Sequence, residues 1–251
     1  MYTTLMSVFA AIASGLSVPL TNLFTSGWQA SLLSWAALAL LGVIVWIFIY
    51  FTNNDEEKEA RFYEPSAGKL LKSSIAWQVT LFMGLQSFLF YVTVTWLPEI
   101  LIYGGLSLPA TFYTPIIASR VTNQKSIIIA IGLSAALGYG GLLLGGPMLL
   151  IIVSITLIGS ALGSSISLSL AFIGMRTRNG RQAAELSGMA QSFGYLLSAT
   201  GPMLIGLLFD ISNQWTIPLL ATLLIVGILI VFGLGAARDK YVFDDNLESN
   251  E

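Results

Sequence analysis

Cysteine and histidine are both absent from this 251-residue chain. Their absence excludes disulfides, thiolate or imidazole metal sites, Cys- or His-based catalysis and a haem on a histidine axial ligand. Charge is scarce as well: 10% of residues are charged, against about 25% in a soluble domain. What fills the chain instead is apolar surface, with 55% hydrophobic residues and a mean hydropathy of +0.81. A water-soluble globule of this size has too little interior to hide that surface. A lipid bilayer is the natural solvent, and an all-α polytopic membrane helix bundle is the expected fold class.

A helix crossing the ~30 Å hydrocarbon core needs about 20 apolar residues. Uncharged runs of that length recur at 2–22, 28–52, 73–98, 126–146, 148–175, 186–209 and 216–237. The first opens directly after Met1 with neither a basic n-region nor a small-residue cleavage site, and reads as a span. Residues 126–175 form 50 positions without a charge, cut by Gly145-Gly146-Pro147 as a turn between helices. The charges gather in the gaps. The longest gap, 53–72, is a solvated linker whose acidic start is either a short surface helix or a plain charge run. The tail after Arg238 is polar and acidic, with the composition of a disordered segment.

Orientation follows from Lys and Arg, which favour the cytoplasmic side of a membrane. With the linker inside, Arg120 and Lys125, then Arg176, Arg178 and Arg181, then Arg238 and Lys240 all fall inside, so that all 11 basic residues lie in cytoplasmic loops. Outer loops hold only Glu99 and Asp210. The N- and C-termini are then cytoplasmic, and a multi-pass protein of the cell membrane is expected. This sorting requires one further crossing between Ile102 and Arg120. Residues 104–119 supply 16 positions, about 24 Å as a helix, and include Pro109 and Pro115. Either a short, kinked segment thins the bilayer locally, or one to two dozen residues have been lost here.

The first and last hairpins look related. With Pro19 set on Pro202, Met6 falls on Met189, Ser7 on Ala190 and Ser17 on Thr200; Trp28 precedes Leu32-Leu33 as Trp215 precedes Leu219-Leu220. Both hairpins enter from and return to the same side, a parallel repeat of the sort that relates the halves of twelve-helix transporters. On that reading 1–52 is the last two helices of an N-terminal half and 53–74 a cytoplasmic linker. Residues 75–237 are then a C-terminal transport half, 238–251 a cytoplasmic tail, and helices one to four are missing.

Two stretches carry a resemblance. Residues 84–98, GLQSFLFYVTVTWLP, resemble helix seven of the cyanate/2-nitroimidazole permease family of the major facilitator superfamily. Residues 189–197, MAQSFGYLL, running on to Gly201-Pro202 and to GLLFD at 206–210, resemble its helix eleven. The resemblance covers nearly the whole chain. It implies a secondary transporter of small anions or nitro compounds, with a partial major facilitator fold and no cofactor. The loop 119–125, SRVTNQK, stands where major facilitators carry a degenerate gating signature, and only its basic character survives.

In such a fold substrate binds near the midplane, where polar groups in the membrane mark the route. No charged residue lies within 73–98, 126–175 or 186–209, so neutral groups are the candidates. Two stripes at i, i+3/i+4 spacing mark the first helix of the C-terminal half: Thr80, Gly84, Ser87, Tyr91, Thr95, and Met83, Gln86, Phe90, Thr93, Trp96. Gln86 must face a wet cavity or a partner helix. Trp96, beside Pro98 and Glu99, fits an interfacial anchor or a pathway residue. Thr156, Ser160, Gly163, Ser164 and Ser167 share a face that suits helix packing or the pathway. Ser187, Gln191, Gly194, Ser198 and Gly201 form another. The pathway set is thus Gln86, Ser87, Tyr91, Thr95, Ser164 and Gln191. Arg120, Arg176, Arg178, Arg181 and Glu185 form a cytoplasmic gate or a solvated loop pairing. Expected partners are the lipid bilayer, a small-molecule substrate, and helices one to four or a chain supplying them; nothing points to nucleic acid. No nucleophile–base pair, metal cluster or carboxylate dyad lies on the spans. The rival to a transporter is a non-transporting remnant or accessory membrane subunit. Drug efflux and nitrate-type permeases are the rival substrate classes.

Overall fold

The computed structural model of the chain describes residues 9, 12, 13, 15–17, 19–21, 28–52, 67–104 and 124–243. Among these, all regular structure is helical and no strand occurs. The helices are α1 (Trp28–Thr52), α2 (Ala67–Lys72), α3 (Ser74–Tyr103), α4 (Gln124–Leu144), α5 (Met148–Met175), α6 (Gly180–Ser212) and α7 (Thr216–Ala236). Six of them, all but α2, are long and apolar enough to cross a membrane, so the chain is an all-α, multi-pass membrane protein. Helices are the solution a bilayer imposes, because each backbone N–H and C=O must find its partner inside the span. The segment 105–123, with the extra crossing expected there and Arg120, lies outside the described residues, as do most of the first span and the linker as far as Ser66.

The ends of the helices follow local chemistry. Gly145 (φ 61°) and Gly146 (φ 118°) adopt conformations that side chains disfavour, and Pro147 then caps α5. Asn179 caps α6, its side chain accepting the Gln182 N–H at 2.9 Å, and Asn213 ends it in the left-handed region at φ 53°. Two helices outrun their apolar runs. The α3 helix passes through Pro98 to Tyr103, since a proline removes only one donor from a helix whose neighbours hold it straight. The α6 helix begins six residues before the apolar run, because Arg181 and Glu185 face outward at i,i+4 and suit a helix that emerges from the membrane.

The chain divides into two units, Met1–Pro65 and Ser66–Glu251. In the first, Trp35 Nε1 donates to Ser17 Oγ at 3.1 Å and Ser31 Oγ to the Ser17 carbonyl at 3.1 Å. These bonds tie α1 to the helical residues before it as a hairpin. The rest of α1 leaves Leu40, Val43, Trp46, Phe48 and Phe51 exposed in sequence order around the helix. An apolar surface on every side belongs in lipid or against further helices.

In the second unit α3 is central, packed most extensively on α6 and next on α7. Close glycine contacts give the direction of each helix. A Cβ on Gly84 would lie 2.9 Å from Gly194 Cα, and one on Gly206 would lie 2.7 Å from the Trp96 ring. The two crossings are 12 residues apart on both helices, so α3 and α6 run parallel and in register. Phe82 and Ile128 both meet Gly233, while the Thr93 and Tyr139 hydroxyls share a hydrogen bond at 2.6 Å. The α4 helix is therefore parallel to α3 too. The α7 helix is antiparallel to α3, meeting it through Gln78 with Gly235 and Trp96 with Trp215. The α5 helix returns beside α4, with Ser154 against Gly138 and Gly141, and Ser160 near Ser134. Because α3 and α4 point the same way, the last residue of α3 and the first of α4 lie at opposite ends of the bundle.

One expectation fails at the C-terminus. Residues 238–243 are not a free tail: Val242 is 2% exposed and its N–H donates to the Arg176 carbonyl at 3.0 Å. An apolar side chain with a nearby acceptor overrides the polar composition around it.

Candidate functional site

The polar groups within the spans fall into a buried set and an exposed set. Gln86 is 3% exposed; its Nε2 donates to Ser87 Oγ at 2.8 Å, and its Oε1 is buried with no hydrogen-bond partner. Ser87 is buried beside it. On α6, Gln191 is half-buried and its Nε2 donates to Ser187 Oγ at 2.6 Å. Each glutamine thus leans on a serine of its own helix. Tyr91 and Thr95, farther along α3, are exposed, with the Tyr91 and Phe90 rings edge to face at 5.6 Å.

Trp96 is engaged within the bundle. Its indole N–H donates to the Pro202 carbonyl at 2.9 Å, and its ring docks on Gly206 and against Trp215. It clips α3 to α6. The bare backbone at Gly206 makes room for it, a signal visible in sequence only as one glycine among 24.

The face of α5 singled out in sequence packs only in part, Ser160 meeting Ser134 of α4. Ser154, Ser165 and Ser169 turn inward and are buried. Thr156, Gly163 and Ser167 are exposed, and Ser160 and Ser164 half-exposed. Ala171 and Gly174 continue the exposed line, and no atom approaches within 4 Å of where a Cβ on Gly163 or Gly174 would be. From Thr156 onward the outward surface of α5 therefore carries no large side chain among its fully exposed positions before Met175. The contrast with α4 and α7 is sharp: their exposed residues include Ile129, Leu133, Leu137 and Leu144, and Ile217, Leu220, Leu224 and Val231. Those bulky aliphatic faces suit lipid tails, whereas a narrow hydroxyl-bearing face suits close helix approach or water.

At the basic end, the candidate gate residues separate. Arg181 pairs with Glu185 at 3.9 Å along α6. Arg178 lies over the Tyr241 ring at 5.0 Å. Arg176 is 4% exposed and turns into the bundle, donating to the Ala236 carbonyl at 2.9 Å and to Gln124 Oε1 at 2.6 Å. Sequence alone grouped these residues by charge; burial divides them. Among the described residues no group of His, Cys, Asp or Glu is placed to hold a metal ion.

The chain is similar to proteins named as transporters. It is 43% identical to the uncharacterized transporter YycB of Bacillus subtilis (strain 168), a match covering all of this chain and 65% of that protein. It is 35% identical to the 2-nitroimidazole transporter of Escherichia coli (strain K12), covering 96% of this chain and 64% of that protein. A third match, 45% identical over 34% of this chain and 51% of the other, is to a Thauera aromatica protein provisionally named anionic 4-hydroxy-benzoate permease. The chain thus spans just under two thirds of the length of the first two. The first match runs over 268 aligned positions against 251 residues here, so at least 17 positions of that relative have no counterpart in this chain. No protein-family model matches the chain, and no solved structure matches it significantly.

Proposed function

We propose that this chain, a homologue of membrane transporters that include the 2-nitroimidazole transporter, is the C-terminal part of a secondary transporter of the major facilitator type. It moves a small anion such as cyanate, or a small nitro compound, by alternating access. The observation that carries this reading is the unequal outer surface of the bundle. Bulky aliphatic faces on α4 and α7 suit lipid, whereas the small, hydroxyl-bearing face of α5 suits a polar path or a close partner helix.

Neutral recognition suits the residues present. Gln86 offers an unpartnered amide oxygen to a donor, and Gln191, Ser164, Tyr91 and Thr95 offer hydroxyl and amide groups. Any fixed charge for an anion, or any coupling carboxylate, comes from the other half. The basic end is cytoplasmic on the charge rule, with Arg120, Arg178, Arg181 and Glu185 at the cytoplasmic gate. A further crossing between α3 and α4 belongs to this reading, and it is supported by the opposite placement of the end of α3 and the start of α4 in the bundle.

The unmatched positions favour a second reading, a non-transporting truncated remnant or accessory membrane subunit. Proteoliposomes decide between them. The chain joined to the upstream third of the Bacillus relative is expected to take up labelled 2-nitroimidazole or cyanate above empty vesicles. Uptake equal to empty vesicles across a panel of small anions and nitro compounds overturns the transport reading and leaves the second.

A further inference from the structure

The basic end of the bundle holds a buried cation whose side chain reaches three separate elements. Arg176, at the end of α5, donates through Nε to the Ala236 carbonyl at the end of α7 (2.9 Å) and through Nη2 to Gln124 Oε1 at the start of α4 (2.6 Å). Its Nη1 lies 3.5 Å from Asp239 Oδ1 beyond α7, and its guanidinium carbon stands 5.7 Å from the Phe172 ring centre. Asp239 is fully exposed while Arg176 is 4% exposed. Water screens that ion pair, so the carbonyl and the amide oxygen do most of the holding. Gln124 is fixed in turn, its Nε2 reaching Met175 Sδ at 3.1 Å.

The backbone closes the same knot from the other side. After α7 the chain folds back, and Val242, 2% exposed, donates its N–H to the Arg176 carbonyl at 3.0 Å. Tyr241 meanwhile stacks under Arg178 at 5.0 Å. One residue, Arg176, thus receives the strap on its backbone and pins α4 and α7 with its side chain.

We propose that residues 238–243 form a strap that closes the basic end of the bundle, with Arg176 as its pin. The device keeps the ends of α4, α5 and α7 together as one block and takes Arg176 out of any gate that opens and shuts. Release of the strap loosens the α5–α6 turn, where Arg178 sits. The proposal stands on these contacts alone and holds whether or not the chain transports.

Amide hydrogen exchange on the full chain in lipid nanodiscs tests it. The Val242 amide is expected to exchange at least about tenfold more slowly than an unstructured reference peptide. In Arg176→Lys, which keeps the charge but loses the three-way fork, that protection is expected to vanish although the Val242 acceptor is a backbone carbonyl. Fast exchange at Val242 in the native chain, or equal exchange in native and Arg176→Lys, overturns the proposal. Should Arg176→Lys fail to fold, Val242→Asp releases the strap and leaves the pin. Deuterium uptake across residues 176–179 is then expected to rise about tenfold, and unchanged uptake overturns the proposal.

Discussion

Gln86 carries the clearest tension in the molecule. Its amide oxygen is buried without a partner, and an unsatisfied polar atom of this kind costs about 1–3 kcal/mol. A leucine of similar size removes that cost. Gln86→Leu is therefore expected to raise the melting temperature in detergent while lowering substrate uptake in the joined protein. A variant that transports normally would show that the oxygen has no substrate to meet. Trp96 offers a smaller test. Trp96→Phe keeps most of the ring but loses the bond to the Pro202 carbonyl, at a cost of about 1 kcal/mol, readable as a lower midpoint in chemical unfolding. Trp96 also shows where sequence reading stops. Beside Pro98 and Glu99 it looked like an interfacial anchor, and only the space above Gly206, contributed by a helix 110 positions later, turns it inward.

At the level of elements, the glycine crossing between α3 and α6 sets how near two backbones come. A side chain on Gly194 would meet Gly84 Cα at 3.2 Å, a backbone atom that cannot swing aside. Gly194→Val is expected to destabilise the bundle by about 1–3 kcal/mol through overpacking, measured as loss of folded protein in detergent. Gly163→Val, on the open face of α5, is expected to leave the isolated chain's stability unchanged and to impair only the joined protein. The helices themselves were legible beforehand, because a bilayer translates 20 uncharged residues into one span. Which face of each helix packs was not. On α5 the serines at 154, 165 and 169 are buried and those at 160, 164 and 167 are not, although the two sets look alike in composition. Facing is decided by partners, and a run of small and apolar residues presents a similar pattern on every side.

For the whole molecule, the sorting of Lys and Arg gives an expected direction of each helix across the membrane. The requirement that the basic residues share one side asks for an odd number of crossings between α3 and α4, a stretch outside the described residues, and the parallel directions of the two helices are consistent with it. The absence of native cysteine makes the topology easy to probe. A cysteine at Gln214 is expected to react with an impermeant maleimide on intact cells, and one at Asn179 only after permeabilisation. Equal labelling of both from outside would refute the arrangement. What neither charge nor hydropathy revealed was the closed basic end, since Arg176 looks like its neighbours until its burial is known.

The in-register crossing of α3 and α6 also has a history within each molecule's own synthesis. Gly194 follows Gly84 by 110 residues, which at ribosomal rates of about 5–20 residues per second is a wait of roughly 5–20 s. Through that interval α3 stands in the membrane with a bare backbone patch at Gly84 and no mate. Its neighbours α4 and α5 are inserted in the meantime, yet the groove must stay vacant for a helix still inside the ribosome. The nascent protein is therefore open to mispairing, and to the insertion machinery, at a place where two backbones of the finished one lie in contact.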